Sequence, residues 1–389
     1  MAKLYGDGIH SDTAAIQEML DSGMELVYLP VPEKEYLIDA PLKIHGNQIL
    51  KLDLYTRIKL ADHSNCIMLM NEERDIENVA VIGGIWDFNN LNQKSNPLAE
   101  GSVTGVVNNA RKPDYGDEYL GVPMRFSYIK NLLIRDVTIK DPVTFGIQMA
   151  YIEQFTVEDI TFDYNYGNPF PINMDGVHLD GGCNFGVIRN LKGTCYDDLV
   201  AINADDFCDG AVSNIVVDGI FAYDCHSAVR VLSAGSTVKN ITITNVFGTY
   251  FQYCVGLTCF FYEKDYGIFD NITVSNVYAS KAERHTMYQK DGTVVFAPLF
   301  IDKRLRIGHL TIRNVHRVEE ITPIHLIDIW EDTEIKRMSV SDVSQENHTG
   351  ERISILNNAG KIGTLYLRNI DTDEDMITGE GRIEKVFEE

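Results

Sequence analysis

Positive charge is scarce in this chain. Over 389 residues, 34 Lys and Arg stand against 57 Asp and Glu, a formal net charge of −23. Such a field repels phosphate backbones and argues against nucleic acid as a partner. An anionic sugar polymer stays open, because a local basic pocket can oppose the global field. Long apolar runs are missing as well. The opening MAKLYGDGIHSD holds no apolar run of about seven residues, so no secretory signal is read there. That reading places the protein in the cytoplasm; a trimmed leader would place it outside the cell. Residues 240–262 carry no charge, but they hold Asn240, Asn245, Gln252, two glycines and four threonines. They read as a buried soluble stretch rather than a membrane span. The seven cysteines are odd in number and show no C-x-x-C spacing, which points to reduced thiols rather than a disulfide framework or a zinc site. No metal and no cofactor are called for.

Helical periodicity is almost absent too. The one good segment is SDTAAIQEMLDSG at 11–23, where Ser11 or Asp12 can cap, Ala15, Ile16, Met19 and Leu20 form one apolar face, and Gly23 follows. Residues 1–25 thus read as a cap over the open end of a larger body. With 44% hydrophobic and 23% charged residues, that body is globular, not disordered.

What the chain has instead is a repeated phrase of alternating apolar residues followed by Asn or Asp. It appears as IENVAVIGG at 76, IKNLLIRDVTI at 129, IEQFTVEDITF at 152 and FGVIRNLKG at 185. It continues as VSNIVVDGIFA at 212, VKNITITNVFG at 238, FDNITVSNVYA at 269 and IGHLTIRNVHR at 307, with weaker copies at 335 and 362. Eight steps separate 129 from 362, about 29 residues each, and the wide gap after 76 leaves room for one degenerate copy. Period-2 alternation of β-branched residues means half-buried strands. One strand per coil, stacked in parallel, gives a β-helix spanning 1–389 as a single domain. A propeller needs longer blades, and the Asn-Gly turns of a hairpin sandwich are absent. The irregular stretch 91–119 reads as a surface excursion or the wall of a cleft.

The densest chemical signal lies at 173–236, in NMDGVHLDGG, TCYDDLVAIN and DCHSAVRVLSAGS. Asp175 to Asp197 is 22 residues and Asp198 to His226 is 28, each about one coil. Residues far apart in sequence therefore meet on adjacent rungs. Crowded acids raise one another's pKa, and a protonated acid beside an ionised base is what glycoside hydrolysis uses. Asp205, Asp206 and Asp209 read as a solvated turn, and His178 and His309 as structural. Tyr164, Tyr166, Phe170, Tyr196, Tyr250 and Tyr253 flank these coils and could stack on sugars.

These phrases, in this order, resemble the polygalacturonases, family 28 of the glycoside hydrolases. Asn173-Met174-Asp175-Gly176 matches the family's N-T-D-G phrase, and Tyr196-Asp197-Asp198 its G-D-D phrase. Cys225-His226-Ser227, followed by Ser233-Ala234-Gly235-Ser236, is similar to its G-H-G region, and NVAVIGGIWDFNN at 78–90 to its glycine-rich phrase. The likeness spans about 76–280. It implies an all-β, right-handed, single-stranded parallel β-helix of the pectin-lyase type, with a short N-terminal helix. It implies Asp197 as general acid, Asp175 and Asp198 as the pair that holds and deprotonates water, His226 as tuner of the acid, and inversion at the anomeric carbon. Asn173 and Tyr196 would line the substrate. One element is missing: where R-x-K is due, the chain reads Gly256-Leu257-Thr258-Cys259-Phe260. Arg230 and Lys264 are the candidate replacements for its cations, which the family uses on a uronate carboxylate. The expected partner is an oligosaccharide or polysaccharide; the oligomeric state is not read. A non-catalytic glycan-binding β-helix of the tail-fibre or adhesin type, and a polysaccharide lyase, are the competing readings.

Overall fold

The computed structural model describes residues 3–98, 119–283, 295–373 and 375–388. The repeated phrases are successive rungs of one parallel ladder. Ile76 pairs with Ile129, Ile129 with Ile152, Phe155 with Gly186, Ile215 with Ile241, and the register continues to Leu367 beside Glu388. The pairing of 76 directly with 129 removes the degenerate copy from the gap. The stretch 91–119 lies mostly outside the described residues.

Each coil has two further faces that carry no repeated phrase. A second ladder runs through Leu42–Ile44, Leu69–Asn71, Val177–Leu179, Asp198–Asn203, Leu299–Ile301, Ile327–Ile329 and Ser354–Asn358, all parallel. A third links Glu35–Ile38, Arg57–Leu60, Ile85–Asp87, Thr138–Lys140 and Thr161–Asp163. Strands make up 60% of the described residues and helix 3%. The uncharged stretch after 240 falls largely in one such strand, Thr237–Thr258, which turns the corner between faces. No described helix is long and apolar enough to cross a membrane.

Alternation puts one column of aliphatic side chains inside. Ile188, Val217, Ile243 and Val274 sit on consecutive rungs, the first three fully buried and the last nearly so. Each such side chain contributes about 1.5–3 kcal/mol by leaving water. The recurring Asn residues turn the corners. Asn245, Asn276 and Asn314 all take the left-handed conformation, at φ 58, 54 and 52. Their amides bond from coil to coil, Asn276 Nδ2 to Asn245 Oδ1 at 3.0 Å and Asn314 Nδ2 to Asn276 Oδ1 at 2.8 Å. Asn tolerates that backbone better than other non-glycine residues, so the corners select it.

The helix forms at Thr13–Leu20 and buries Ala15, Ile16 and Leu20 against the first coils. Its capping differs from the sequence reading. Asp12 holds the cap position, but its carboxylate accepts the amides of Tyr5, Gly6 and Leu37 instead, tying the entering chain to the third ladder. Ser11 Oγ takes the Thr13 amide at 3.3 Å. None of the seven cysteines, all among the described residues, is in a disulfide.

Candidate active site

Coil stacking brings the sequence-distant acids together. Gly146 donates its amide to the Asp175 carbonyl and Gly176 to that of Asp198; Asp198 then pairs with Ser227, and Ser227 with Tyr253. Asp175, Asp198, Ser227 and Tyr253 thus lie on successive coils, where the chain enters the second ladder. Gly176 is required here because a Cβ at that position would lie 2.4 Å from the Leu199 carbonyl oxygen. Asp175, Asp197 and Asp198 each present an oxygen within 4.8 Å of the others, and among the described residues they form the one such acidic group. All three are buried, Asp197 least so at 7% exposed.

Their partners differ. Asp175 Oδ2 lies 2.6 Å from His178 Nδ1, whereas Oδ1 is buried with no hydrogen-bond partner among the described residues. Asp198 Oδ1 accepts the Tyr253 hydroxyl at 3.0 Å. Arg230 Nε stands 3.0 Å from Asp198 Oδ2, but its N–H is aimed at Asn203 Oδ1, so this contact is a charge pair rather than a hydrogen bond. Burial lifts the Asp198 carboxyl to about 6; Arg230 opposes the rise and Asp197 adds to it. Burial also raises Asp175, with His178 pulling the other way. His226 Nδ1 is 3.8 Å from Asp197 Oδ1, beyond hydrogen-bond reach, and 3.2 Å from Ser227 Oγ. Burial, with Arg230 and Lys281 nearby, lowers His226 to about 3, so the ring is neutral at ordinary pH.

The two candidate cations part company. Arg230 is inside the group, its side chain 15% exposed. Lys264 is tied by Nζ to the Asp205 carbonyl at 2.8 Å and to Asp209 Oδ1 at 3.1 Å. Gly256, where R-x-K is due, pairs with Arg230 one rung on. A Cβ there would meet the Tyr253 ring at 2.9 Å, so the bare glycine admits the ring whose hydroxyl holds Asp198. Asn173 takes the left-handed conformation just before Asp175. Tyr196 packs edge-on to Tyr166, whose ring is 56% exposed. Tyr164 donates to the Asp175 carbonyl, and Tyr250 is buried against Phe247 O.

Asp205 and Asp206 depart from the solvated-turn reading, and His178 lies against the acids. His178 is fully buried beside Asp175 and between Asp180 and Asp206. Asp206 is nearly buried and bonded by Asn203, and Asp205 takes the amides of Ala234 and Ser236, so only Asp209 of that trio is a solvated turn residue. His178 sits at the outward position between inward Val177 and Leu179, a signal available from alternation alone. His309 pairs with Asp270 on a different ladder, far in register from the acids.

No protein-family model matches the chain, and no curated protein matches it. Solved structures do. The A-module of mannuronan C-5 epimerase AlgE6 from Azotobacter vinelandii aligns with a TM-score of 0.63 at 13% identity, over 98% of this chain and 97% of that one. A tailspike protein of E. coli bacteriophage HK620, solved with a pentasaccharide, gives 0.59 at 11% identity, over 99% and 78%. A family 28 exopolygalacturonase from Yersinia enterocolitica gives 0.53 at 11% identity, over 99% and 76%. The fold is a right-handed parallel β-helix. At these identities the likeness speaks for fold alone, and the acids must be argued from their own geometry.

Proposed function

We propose that the protein is a glycoside hydrolase that cuts a pectin-like or related glycan by a single displacement with water. The observation that carries this reading is the trio of carboxylates held within 4.8 Å by successive coils, each in a different electrostatic setting. Asp197, the most accessible, gives its proton to the leaving glycosidic oxygen as the C–O bond breaks. Asp175, anchored through Oδ2 with Oδ1 unpartnered, takes the proton of the water that attacks the anomeric carbon. Asp198, braced by Tyr253 and Arg230, holds that water. Neutral His226 stands beside Asp197 without adding charge. A sugar-polymer partner is supported by three structural neighbours, a mannuronan C-5 epimerase module, a tailspike solved with a pentasaccharide and an exopolygalacturonase.

A single displacement inverts the anomeric carbon, whereas a covalent glycosyl-enzyme retains its configuration. The anomer of the first product is therefore the discriminating measurement. Proton NMR during early turnover of a defined oligosaccharide should show the inverted anomer, and a retained one would reject single displacement. The near-complete burial of all three acids favours a second reading, a β-helix that binds glycan without cutting it. Binding with no product from any of a panel of oligosaccharides would establish that alternative.

A further inference from the structure

His178 has no step in the scheme above, yet it is the most heavily engaged ionisable side chain near the acids. Its ring is wholly buried, with Nδ1 2.6 Å from Asp175 Oδ2 and Nε2 3.3 Å from Asp180 Oδ1. Asp206 Oδ2 lies 3.8 Å from Nε2. A neutral imidazole donates through one nitrogen only, so one of two flanking carboxylates would face a lone pair. Asn203 Nδ2, 3.4 Å from Nε2, is the one neighbour among the described residues that would suit a lone pair there, but that amide also reaches Asp206 Oδ2 at 3.3 Å. Phe145 covers a ring face at 3.8 Å and Phe207 stands edge-on, which closes the ring off from water. The far side is braced rung by rung: Gln148 donates to Asp180 Oδ2 at 2.9 Å, and Arg125 Nε donates to Gln148 Oε1 at 3.0 Å.

We propose that His178 is a positioning residue, an imidazolium throughout the working pH range, that clamps Asp175 Oδ2, keeps Asp175 ionised and turns its free Oδ1 toward the reacting atoms. Burial by itself would deprotonate the ring, but Asp180 and Asp175 push it up to about 10. The charged groups facing the pair are Asp180 and Asp206 at His178, with Asp198 and Arg230 beyond Asp175. The role given to Asp175 rests on the hydrolase reading; the charge state of His178 does not.

Long-range nitrogen–proton NMR on ¹⁵N-histidine protein reads that state directly, with His178→Gln supplying the assignment. Both ring nitrogens of His178 should stay protonated from pH ~5 to ~9, past the ordinary imidazole range. A singly protonated ring at neutral pH would overturn the proposal. Carbon NMR of the Asp175 carboxyl gives the second measurement, valid even if the protein cuts no glycan. In His178→Gln, which keeps one donor and loses the charge, the Asp175 pKa should rise by roughly one unit or more. If glycan is cut, the acid limb of kcat/KM should move up with it and kcat should fall roughly 10–100-fold with KM little changed. A Gln variant that merely loses thermal stability, with the Asp175 titration unmoved, would reduce His178 to a structural residue.

Discussion

Asp197 is the member of the trio on which the proposed chemistry turns. Asp197→Asn cannot donate a proton, so activity should fall roughly 10²–10⁴-fold while the fold persists. Near-normal turnover by that variant would remove the role. Asp209→Asn is the control: its side chain is 72% exposed and touches Lys264, and its turnover should match the parent protein. Asp198 sets the pH dependence. Its carboxyl is held near 6, and the water-holding form is the ionised one, so kcat/KM should climb as pH rises through about 6 and fall again where Asp197 loses the proton it donates. A decline across the same interval would instead make Asp198 the proton donor.

Among the elements, the asparagine corners define the coil. Asn276 joins three coils, accepting from Asn314 and donating to Asn245 Oδ1 and Thr244 Oγ1. Asn276→Ala loses those bonds and places a Cβ at φ 54, a combined cost of about 2–3 kcal/mol. Asn276→Gly loses the same bonds but relaxes the backbone, so it should unfold in urea at a higher midpoint than the Ala variant. Equal midpoints would show that the amide ladder, not the left-handed backbone, selects Asn. The N-terminal helix shows a different competition. Asp12 could have capped it, but three backbone amides of the entering chain and the third ladder claim the carboxylate. Buried amides need an acceptor more than an exposed helix end does.

For the molecule as a whole, charge decides the substrate prediction. At −23 the protein offers an anionic polymer no long-range attraction. Close to the acids, Arg230 faces Asp198 and Lys264 is bound to Asp205 and Asp209. A uronate carboxylate would therefore compete with protein acids for either cation. We expect kcat/KM on methyl-esterified polygalacturonate to exceed that on the plain polymer. The reverse order would mean that Arg230, the cation nearest the trio, also serves the substrate.

The repeated Asn-bounded alternation, readable in the chain at 76, 129, 152 and onward, determined the parallel coil, because a period of two with one strand per turn has no other way to bury its apolar face. The same spacing determined that Asp175, Asp197 and Asp198 would meet. Three things only the tertiary structure decided. The gap between 76 and 129 closes without a rung, since only backbone pairing shows which strands are neighbours. Asp206 comes beside His178 from the turn that follows Asp198–Asn203, and no local signal encodes which face a turn will cover. Arg230 reaches Asp198 from the next rung while Gly256 leaves space for Tyr253, a contact set by lateral stacking between coils. Periodicity fixes which residues share a face; the partners that set their protonation come from side chains one coil away, whose direction depends on packing.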